Sequence, residues 1–237
     1  MNPVLLDVPD SWPTTTAEAV AAVGRRLRGT TRHVTDLRVS EAEDAAVAAS
    51  LEGHLVRVYH CTRLLDAERD DILRNGLRPA SDTLAHDRLE MALAGGHLDG
   101  RQARDLYARR ALARQRNSRE HRICAVSTRA SLNAESGLHH LLGTWGGELL
   151  YFDSLKQHRQ VLQSLGRPSV VVLDLPADLP NTGWYPYMAK VLTAVALDFP
   201  DVEGEVNATV TQERWPVVDI WQPGHAEYSK HPHLPLL

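Results

Sequence analysis

The clearest period-two pattern of apolar and polar residues in the chain runs over 55–62, where β-branched and aromatic types are also common. This pattern predicts a β-strand, with the polar His60 at the point where the strand ends. A run of charged residues with a single apolar face follows over 66–74 and predicts a short helix. Gly76 is suited to close that helix, because glycine adopts positive φ without strain.

The remaining hydrophobic pattern predicts helices before this strand and both helices and strands after it. Helices are predicted over 17–27, 40–51, 81–91, 98–117 and 188–197. The predicted N-caps of the first three are Thr14 to Thr16, Ser40 and Ser81. Strands are predicted over 123–128, 169–175, 203–210 and 216–221. The run 169–175 is continuously apolar, which predicts a strand in the middle of a sheet covered on both faces. Strict strand-helix alternation stops after this run, so the order predicts an α+β fold with a mixed, curved sheet.

This organisation predicts three regions. Residues 1–53 are expected to form an irregular segment and a helical cap, and residues 54–223 the main domain, with an Arg-rich helical insertion over about 82–120. Residues 224–237, rich in Pro and His, are expected to form a loosely ordered tail with exposed histidines, namely His225, His231 and His233.

Composition places the chain among soluble globular proteins. Of its 237 residues 43% are apolar and 24% charged, and no apolar run reaches membrane-spanning length. No signal-peptide pattern is visible at the N-terminus, so we expect a cytoplasmic protein without a membrane partner. Cys61 and Cys124 both fall in predicted strands, which favours buried thiols over a disulfide or a zinc site.

Charge is distributed unevenly along the chain, although the net charge is only −4. The segment 101–122 contains eight Arg against two acidic residues, Asp105 and Glu120. Such a segment is either a phosphate-binding face or a solvated helix face. Helical spacing spreads its arginines around much of the helix, which favours the solvated face and predicts weak, salt-sensitive nucleic-acid binding at most. The arginines considered as a possible phosphate-binding face are Arg104, Arg109, Arg110, Arg114 and Arg116.

The first predicted strand ends in Tyr59-His60-Cys61-Thr62, and Gly76-Leu77 follows the helix after it. This string resembles the opening of the ADP-ribosyltransferase superfamily, in the branch whose first core strand ends in Tyr-His-x-Thr and which includes the RNA 2′-phosphotransferases. The resemblance implies a sheet of ADP-ribosyltransferase type, with NAD as a substrate. It also implies that His60 binds the nicotinamide-side ribose of NAD, with Tyr59 and Thr62 close by. A structural histidine at a strand end is the alternative interpretation of His60.

A second resemblance lies near the C-terminus, where Glu203-Gly204-Glu205 opens a predicted strand. With Trp215-Pro216 and an aliphatic strand after it, this segment is similar to the Glu-x-Glu strand of the same family. The resemblance implies that Glu205 is catalytic and that Glu203 orients the acceptor. Two acids separated by one residue on a strand point to the same face, so both can reach one pocket. An acidic surface turn is the alternative.

The middle of the implied site departs from the family pattern. Ser127-Thr128 is an incomplete version of the family's Ser-Thr-Ser motif. Members with a first-strand His more often use a tyrosine there, so the ring of Trp145 or Tyr151 would have to stack on the nicotinamide. A turn that simply packs around Trp145 is the structural alternative.

Glu148 is a second acid that competes with Glu205 for the catalytic role, and it lies in the same segment as His139 and His140. These three residues lack the i, i+4 histidine spacing of a helical zinc site, so no metal is expected.

These features together favour an NAD-dependent ADP-ribosyltransferase or NAD glycohydrolase, of toxin or defence type. A carboxylate such as Glu205 stabilises the oxocarbenium-like ribosyl cation that forms when nicotinamide leaves, and a neutral His fixes the ribose. The acceptor is unknown, with a protein or a small molecule preferred. An RNA 2′-phosphotransferase is the enzyme alternative, although the basic residues that grip its phosphate are not placed. A non-catalytic module whose Arg-rich helix contacts nucleic acid is the alternative from a different class.

Overall fold

The structure of the chain is a computed structural model that describes residues 2–29, 31, 33–133, 138–150, 158–199 and 201–235. Within these ranges, five side chains lie outside the description, those of Arg114, Ser118, His139, His140 and Glu148. The fold is α+β, as predicted. No helix in the described ranges is both long and apolar enough to cross a membrane.

Helices and strands follow one another in the order that the sequence predicts, with additional short elements. The helices are α1 (Thr14–Leu27), α2 (Glu41–Ser50), α3 (Asp66–Asn75), α4 (Asp82–Ala94), α5 (Gly100–Ala108), α6 (Ala111–Arg119), α7 (Leu138–Gly143), α8 (Gly147–Leu150), α9 (Arg159–Ser164) and α10 (Met188–Ala196). The strands are β1 (Leu55–Leu64), β2 (Arg122–Val126), β3 (Arg167–Pro176), β4 (Gly183–Tyr185), β5 (Glu205–Thr209) and β6 (Val217–Trp221).

The strands of the described chain form a six-stranded sheet in the order β4-β5-β2-β1-β3-β6. The sheet is antiparallel rather than mixed, because β1 with β2, β3 with β6 and β4 with β5 all pair in opposite directions. The apolar strand β3 lies inside the sheet, between β1 and β6, as its continuous run of buried residues predicts.

The chain divides into two compact units, each built from three segments. The first unit comprises Met1–Tyr59, Cys124–Ala134 and Asp174–Thr209. Its helices α1, α2 and α10 pack against one another. Val20, Val23 and Leu27 recur at helical spacing on α1 and are buried, so this amphipathic face is what α1 contributes to the core.

The second unit comprises His60–Ile123, Glu135–Leu173 and Val210–Leu237. Its core includes a cluster of buried residues to which α4, α5, α6 and α8 contribute. After α3, Gly76 has a φ of 90°, and Leu77 exchanges two backbone hydrogen bonds of 2.8 Å with Trp215. The Gly-Leu turn and the Trp-Pro turn that the sequence singles out are therefore paired directly.

The helix predicted over 98–117 is wrong as a single element. It is broken between α5 and α6, where Arg110 has an extended backbone with φ −53° and ψ 141°. Leu106 and Leu112 are exposed by only 3% and 0%, and both belong to the same core cluster. Residues six apart on a straight helix point about 120° away from each other. The break allows both leucines to face one core.

β1 extends further than the sequence predicts, so His60 lies inside the strand and not at its end. The polar Arg63 is 6% exposed, and its guanidinium donates to the backbone oxygens of Leu165 (2.9 Å), Leu142 (3.2 Å) and Gly166 (2.8 Å). Burial lowers the pKa of this guanidinium. Because these carbonyls satisfy the guanidinium, a charged residue continues the strand instead of ending it.

The C-terminal segment is packed, which corrects the prediction of a loosely ordered tail. Tyr228, His231 and Leu234 are buried, and the Tyr228 hydroxyl donates to the Pro235 oxygen at 2.5 Å. The imidazoles of His225 and His231 lie over the Trp221 ring, with centroid distances of 6.3 and 6.2 Å. His231 is thus not exposed, because it covers part of an aromatic surface that would otherwise face water.

Candidate functional site

Glu205 begins β5, and its strand alternates cleanly between solvent and core. Val206 and Ala208 are buried, whereas Glu205 and the preceding Glu203 are exposed. Both acids therefore lie on the solvent side, as the spacing of one residue predicts. In the register of β4 and β5, Glu205 is directly opposite Tyr185.

The backbone of Gly204, between the two acids, is held on both sides. The Ser127 N–H donates to the Gly204 oxygen at 2.7 Å. The Ser131 hydroxyl accepts from the Gly204 N–H at 2.8 Å and lies 3.2 Å from the Gly204 oxygen. A Cβ at position 204 would overlap the Ser127 hydroxyl, so any larger residue there requires the Ser127 side chain to move.

Thr128 extends the same network to the residue before Glu203. Its hydroxyl donates to the Val202 oxygen at 2.9 Å and lies 2.8 Å from the Ser131 hydroxyl. Thr128 and Ser131 are 0% and 3% exposed, so these hydrogen bonds are shielded from water. Ser127, Thr128 and Ser131 together form a clamp on the backbone of the Glu203-Gly204-Glu205 turn, which we call the serine-threonine clamp.

Ser131 is a member of this clamp that the sequence interpretation missed. It lies in a short 3-10 helix, Ala130–Asn133, and its N–H donates to the Thr128 hydroxyl at 3.3 Å. A Thr followed three residues later by Ser is a local capping signal that would have marked the turn. The contact with Gly204, 73 residues away, has no local signal.

Tyr59 belongs to the first unit and is directly opposite Val126, the residue before Ser127. Its side chain is 1% exposed. Burial raises the pKa of Tyr59, and interaction with the neighbouring Arg129 opposes that rise. Since β5, β2 and β1 are neighbours in the sheet, the first unit brings Tyr59, Ser127 and the Glu205 turn onto adjacent strands.

His60 and Thr62 belong to the second unit. His60 is half-buried, and Thr62 is 3% exposed with its hydroxyl close to Gly147. Successive side chains of a strand point to opposite faces. Tyr59 therefore lies on the other face of β1 from His60 and Thr62, which is at odds with the expectation that Tyr59 and Thr62 both lie close to the ribose that His60 binds.

Trp145 is a core residue, and its position does not allow the predicted stacking on nicotinamide. The ring is 0% exposed, and its Nε1 donates to Glu68 at 2.8 Å. The guanidinium of Arg88 lies 5.0 Å from the ring centroid and donates to the same Glu68 carboxylate at 2.5 Å. A ring held in this way has no open face for a ligand, so the structural alternative applies to Trp145.

Several predicted residues lie wholly or partly outside the description. Tyr151 is outside it entirely, and the side chains of Glu148, His139 and His140 are outside it too. Across the ranges that the structure describes, no group of three or more His, Cys, Asp or Glu side chains is arranged to hold a metal ion. Cys61 is buried, which raises the pKa of its thiol to about 12, and Cys124 is half-buried.

Three arginines in or next to α5 and α6 are engaged with nearby carboxylates. Asp82 accepts from Arg110 at 2.7 Å and also pairs with Arg116, while Asp105 pairs with Arg109 at 2.8 Å. The hydrogen bond from Arg110 is the main cause that lowers the pKa of Asp82. Asp82 lies outside the Arg-rich segment 101–122. A count of charges within that segment therefore underestimates how much of its positive charge is neutralised.

Comparison of the chain with protein-family models, with curated proteins and with solved structures finds no match. The resemblance to ADP-ribosyltransferases therefore rests on the quoted residues alone.

Proposed function

We propose that the protein is an NAD-consuming ADP-ribosyltransferase in which Glu205 is the catalytic carboxylate. The observation that supports this proposal best is the serine-threonine clamp. Two segments that the resemblance links, Ser127-Thr128 and Glu203-Gly204-Glu205, are joined by buried hydrogen bonds although some 70 residues separate them.

The proposed reaction breaks the bond between ribose C1′ and the nicotinamide nitrogen of NAD. The bonding electrons leave with nicotinamide, which departs neutral, and the ribosyl group becomes cationic. An acceptor nucleophile then bonds to C1′ and loses a proton. Glu205 contributes a negative charge where the positive charge develops, and the clamp holds its backbone before the reaction, so little reorganisation is required.

Release of nicotinamide from NAD, with and without cell extract, is the experiment that tests the proposal. We expect Glu205→Gln to lower the rate by about 100-fold or more, because it keeps the volume and removes the charge that stabilises the cation. The fold should persist, because the side chain is exposed.

Glu203→Gln is the matched control, since Glu203 is also exposed and carries the same charge two residues away. It should retain NAD cleavage in the absence of an acceptor. Equal rates for the wild type and Glu205→Gln would refute the assignment, and loss in Glu148→Gln instead would transfer the catalytic role to Glu148.

A further inference from the structure

The N-terminal segment lies along the start of β1 and is fixed there. The Val4 N–H donates to the Leu55 oxygen at 2.7 Å, and the Val4 oxygen accepts from the Arg57 N–H at 3.0 Å. Val4 and Leu6 are buried, so hydrophobic burial holds the segment as well. Asp7 therefore follows directly on residues that are anchored by both backbone and side chains.

The Asp7 carboxylate reaches the loop that follows β2. Its Oδ2 atom accepts a hydrogen bond from the Arg129 N–H at 2.6 Å, although 122 residues separate the two in the chain. A hydrogen bond to an ionised carboxylate is roughly twice as strong as one between neutral groups, and this one is partly buried. The Arg129 oxygen accepts from the Leu132 N–H at 3.0 Å, so both backbone groups of Arg129 are bound.

Arg129 is the point at which this hydrogen bond acts on the serine-threonine clamp. It follows Thr128 directly and precedes the 3-10 helix Ala130–Asn133, which carries Ser131. The first N–H groups of a helix have no partner within it. Here the Thr128 hydroxyl accepts from the Ser131 N–H at 3.3 Å, and Asp7 accepts from the Arg129 N–H. Asp7 thus completes, from a distant segment, the cap of the turn that presents the Thr128 and Ser131 hydroxyls.

A short series of contacts leads from Asp7 through Arg129 and the clamp to Glu205. The Ser131 hydroxyl accepts from the Gly204 N–H at 2.8 Å, and Glu205 is the next residue in the chain. All of these residues belong to the first unit. Ser131 is buried, and close-packed interiors transmit strain, so a displacement of Arg129 reaches Gly204.

We propose that Asp7 is a positioning residue, which holds the Glu205 carboxylate in place by anchoring the serine-threonine clamp through the Arg129 N–H. Its effect on catalysis rests on the proposed function, whereas its effect on the Glu205 turn does not. A carboxylate on a preorganised backbone stabilises a developing positive charge without reorganising at the moment of reaction. Loss of the anchor should therefore slow the reaction more than it weakens NAD binding.

Amide hydrogen exchange of the full-length, ¹⁵N-labelled protein tests the anchor without NAD. Asp7→Ala removes the acceptor, so we expect the Gly204 N–H to exchange faster by about tenfold or more. Amides in the middle of α1 report the stability of the same unit and should change by less than about threefold.

Two further variants separate the hydrogen bond from a general loss of stability. Asp7→Asn keeps an oxygen that can accept from the Arg129 N–H, so exchange at Gly204 should stay within about threefold of the wild type. Asp10→Ala is the matched control, because Asp10 is exposed in the same segment and has no ion-pair partner in the described ranges. It should leave exchange at Gly204 unchanged.

Nicotinamide release from NAD measures the consequence for the reaction. We expect Asp7→Ala to lower kcat by about tenfold while KM for NAD changes by less than about twofold, and Asp7→Asn to restore most of the rate. If Asp7→Ala does not fold, Asp7→Glu replaces it, since it keeps the charge but displaces the carboxylate by one methylene group. The same changes should then appear to a smaller degree.

The proposal is overturned if Gly204 exchanges equally fast in Asp7→Ala and the wild type, or if the amides of α1 accelerate by the same factor. It is also overturned if kcat is unchanged although Gly204 exchanges faster, or if Asp7→Asn loses as much as Asp7→Ala. A wild type that releases no nicotinamide refutes the proposed function instead, and exchange at Gly204 still decides whether Asp7 holds the turn.

Discussion

At the scale of single residues, Gly204 shows how a small residue controls the position of a reactive one. Its N–H and oxygen are both bound by the serine-threonine clamp, and a Cβ on it would overlap the Ser127 hydroxyl. Glu205 follows it directly in the chain. Any displacement of Gly204 therefore moves the carboxylate that we propose as catalytic.

Gly204→Ala is expected to lower both stability and nicotinamide release. The added methyl group overlaps the Ser127 hydroxyl, and relief of such overpacking costs typically about 1–3 kcal/mol of unfolding free energy. Urea denaturation and the NAD-cleavage assay measure the two effects. Gly143→Ala is the control, since a methyl group there meets no atom within 4 Å. Full activity in Gly204→Ala would show that the clamp does not position Glu205.

At the scale of elements, Glu43 at the start of α2 accepts hydrogen bonds both from a neighbour in the sequence and from another helix. Ser40 caps the helix, and the Glu43 carboxylate accepts from the Ser40 N–H at 2.8 Å in return. Arg26 of α1 donates two hydrogen bonds of 2.7 Å to the same carboxylate. The first pair is a capping box that four residues specify, whereas the second requires α1 and α2 to pack together.

This arrangement predicts a pH-dependent contribution to stability. The hydrogen bond from Arg26, followed by that from Ser40, lowers the pKa of Glu43 from 4.5 to about 2. A carboxyl group with a lowered pKa in the folded state stabilises the fold above its ordinary pKa and loses that effect as protonation proceeds. The unfolding free energy of the wild type should therefore exceed that of Glu43→Gln above a pH of about 4.5, and the difference should disappear toward a pH of about 2.

Denaturant titrations at a series of pH values measure this difference. Glu41→Gln is the control, because Glu41 is exposed in the same helical turn and has no ion-pair partner in the described ranges. If the difference in unfolding free energy between the wild type and Glu43→Gln stays constant down to a pH of about 2, the proposed role of ionised Glu43 is contradicted.

At the scale of the whole molecule, the charge balance argues against tight binding of nucleic acids. The net charge is −4, and Asp82 and Asp105 neutralise arginines that the segment 101–122 would otherwise present. Arg101 and Arg104 are exposed and have no ion-pair partner in the described ranges. They are a small positive surface on an acidic protein.

We therefore expect weak binding of RNA or DNA that is independent of sequence and falls steeply as salt increases, since each neutralised phosphate releases counterions. Replacing both Arg101 and Arg104 by Gln should reduce the residual binding, whereas replacing Arg25 and Arg28 by Gln, an equal change of charge on exposed positions, should reduce it less. Fluorescence anisotropy across a salt series measures this. A tight complex at an ionic strength of about 0.15 M would contradict the expectation.

The sequence alone determined those elements whose signals are local. The capping serines of α2 and α4 begin their helices, Gly76 ends α3 with positive φ, and the apolar run of β3 lies inside the sheet. Each depends on residues within a few positions of one another, so backbone preference and periodicity are enough. The predicted N-cap of α1 was wrong, because Pro13 rather than a threonine occupies it.

Tertiary structure alone decided the features that depend on hydrogen bonds and packing between residues far apart in the sequence. Arg63 continues β1 because carbonyls about 80 to 100 residues away accept its hydrogen bonds. Trp145 is closed to ligands because Glu68 and Arg88 hold it, and Ser131 becomes part of the site only through Gly204. A single sequence carries the types of these residues but not their pairing, because a buried polar group is satisfied by whichever partner the packing brings to it.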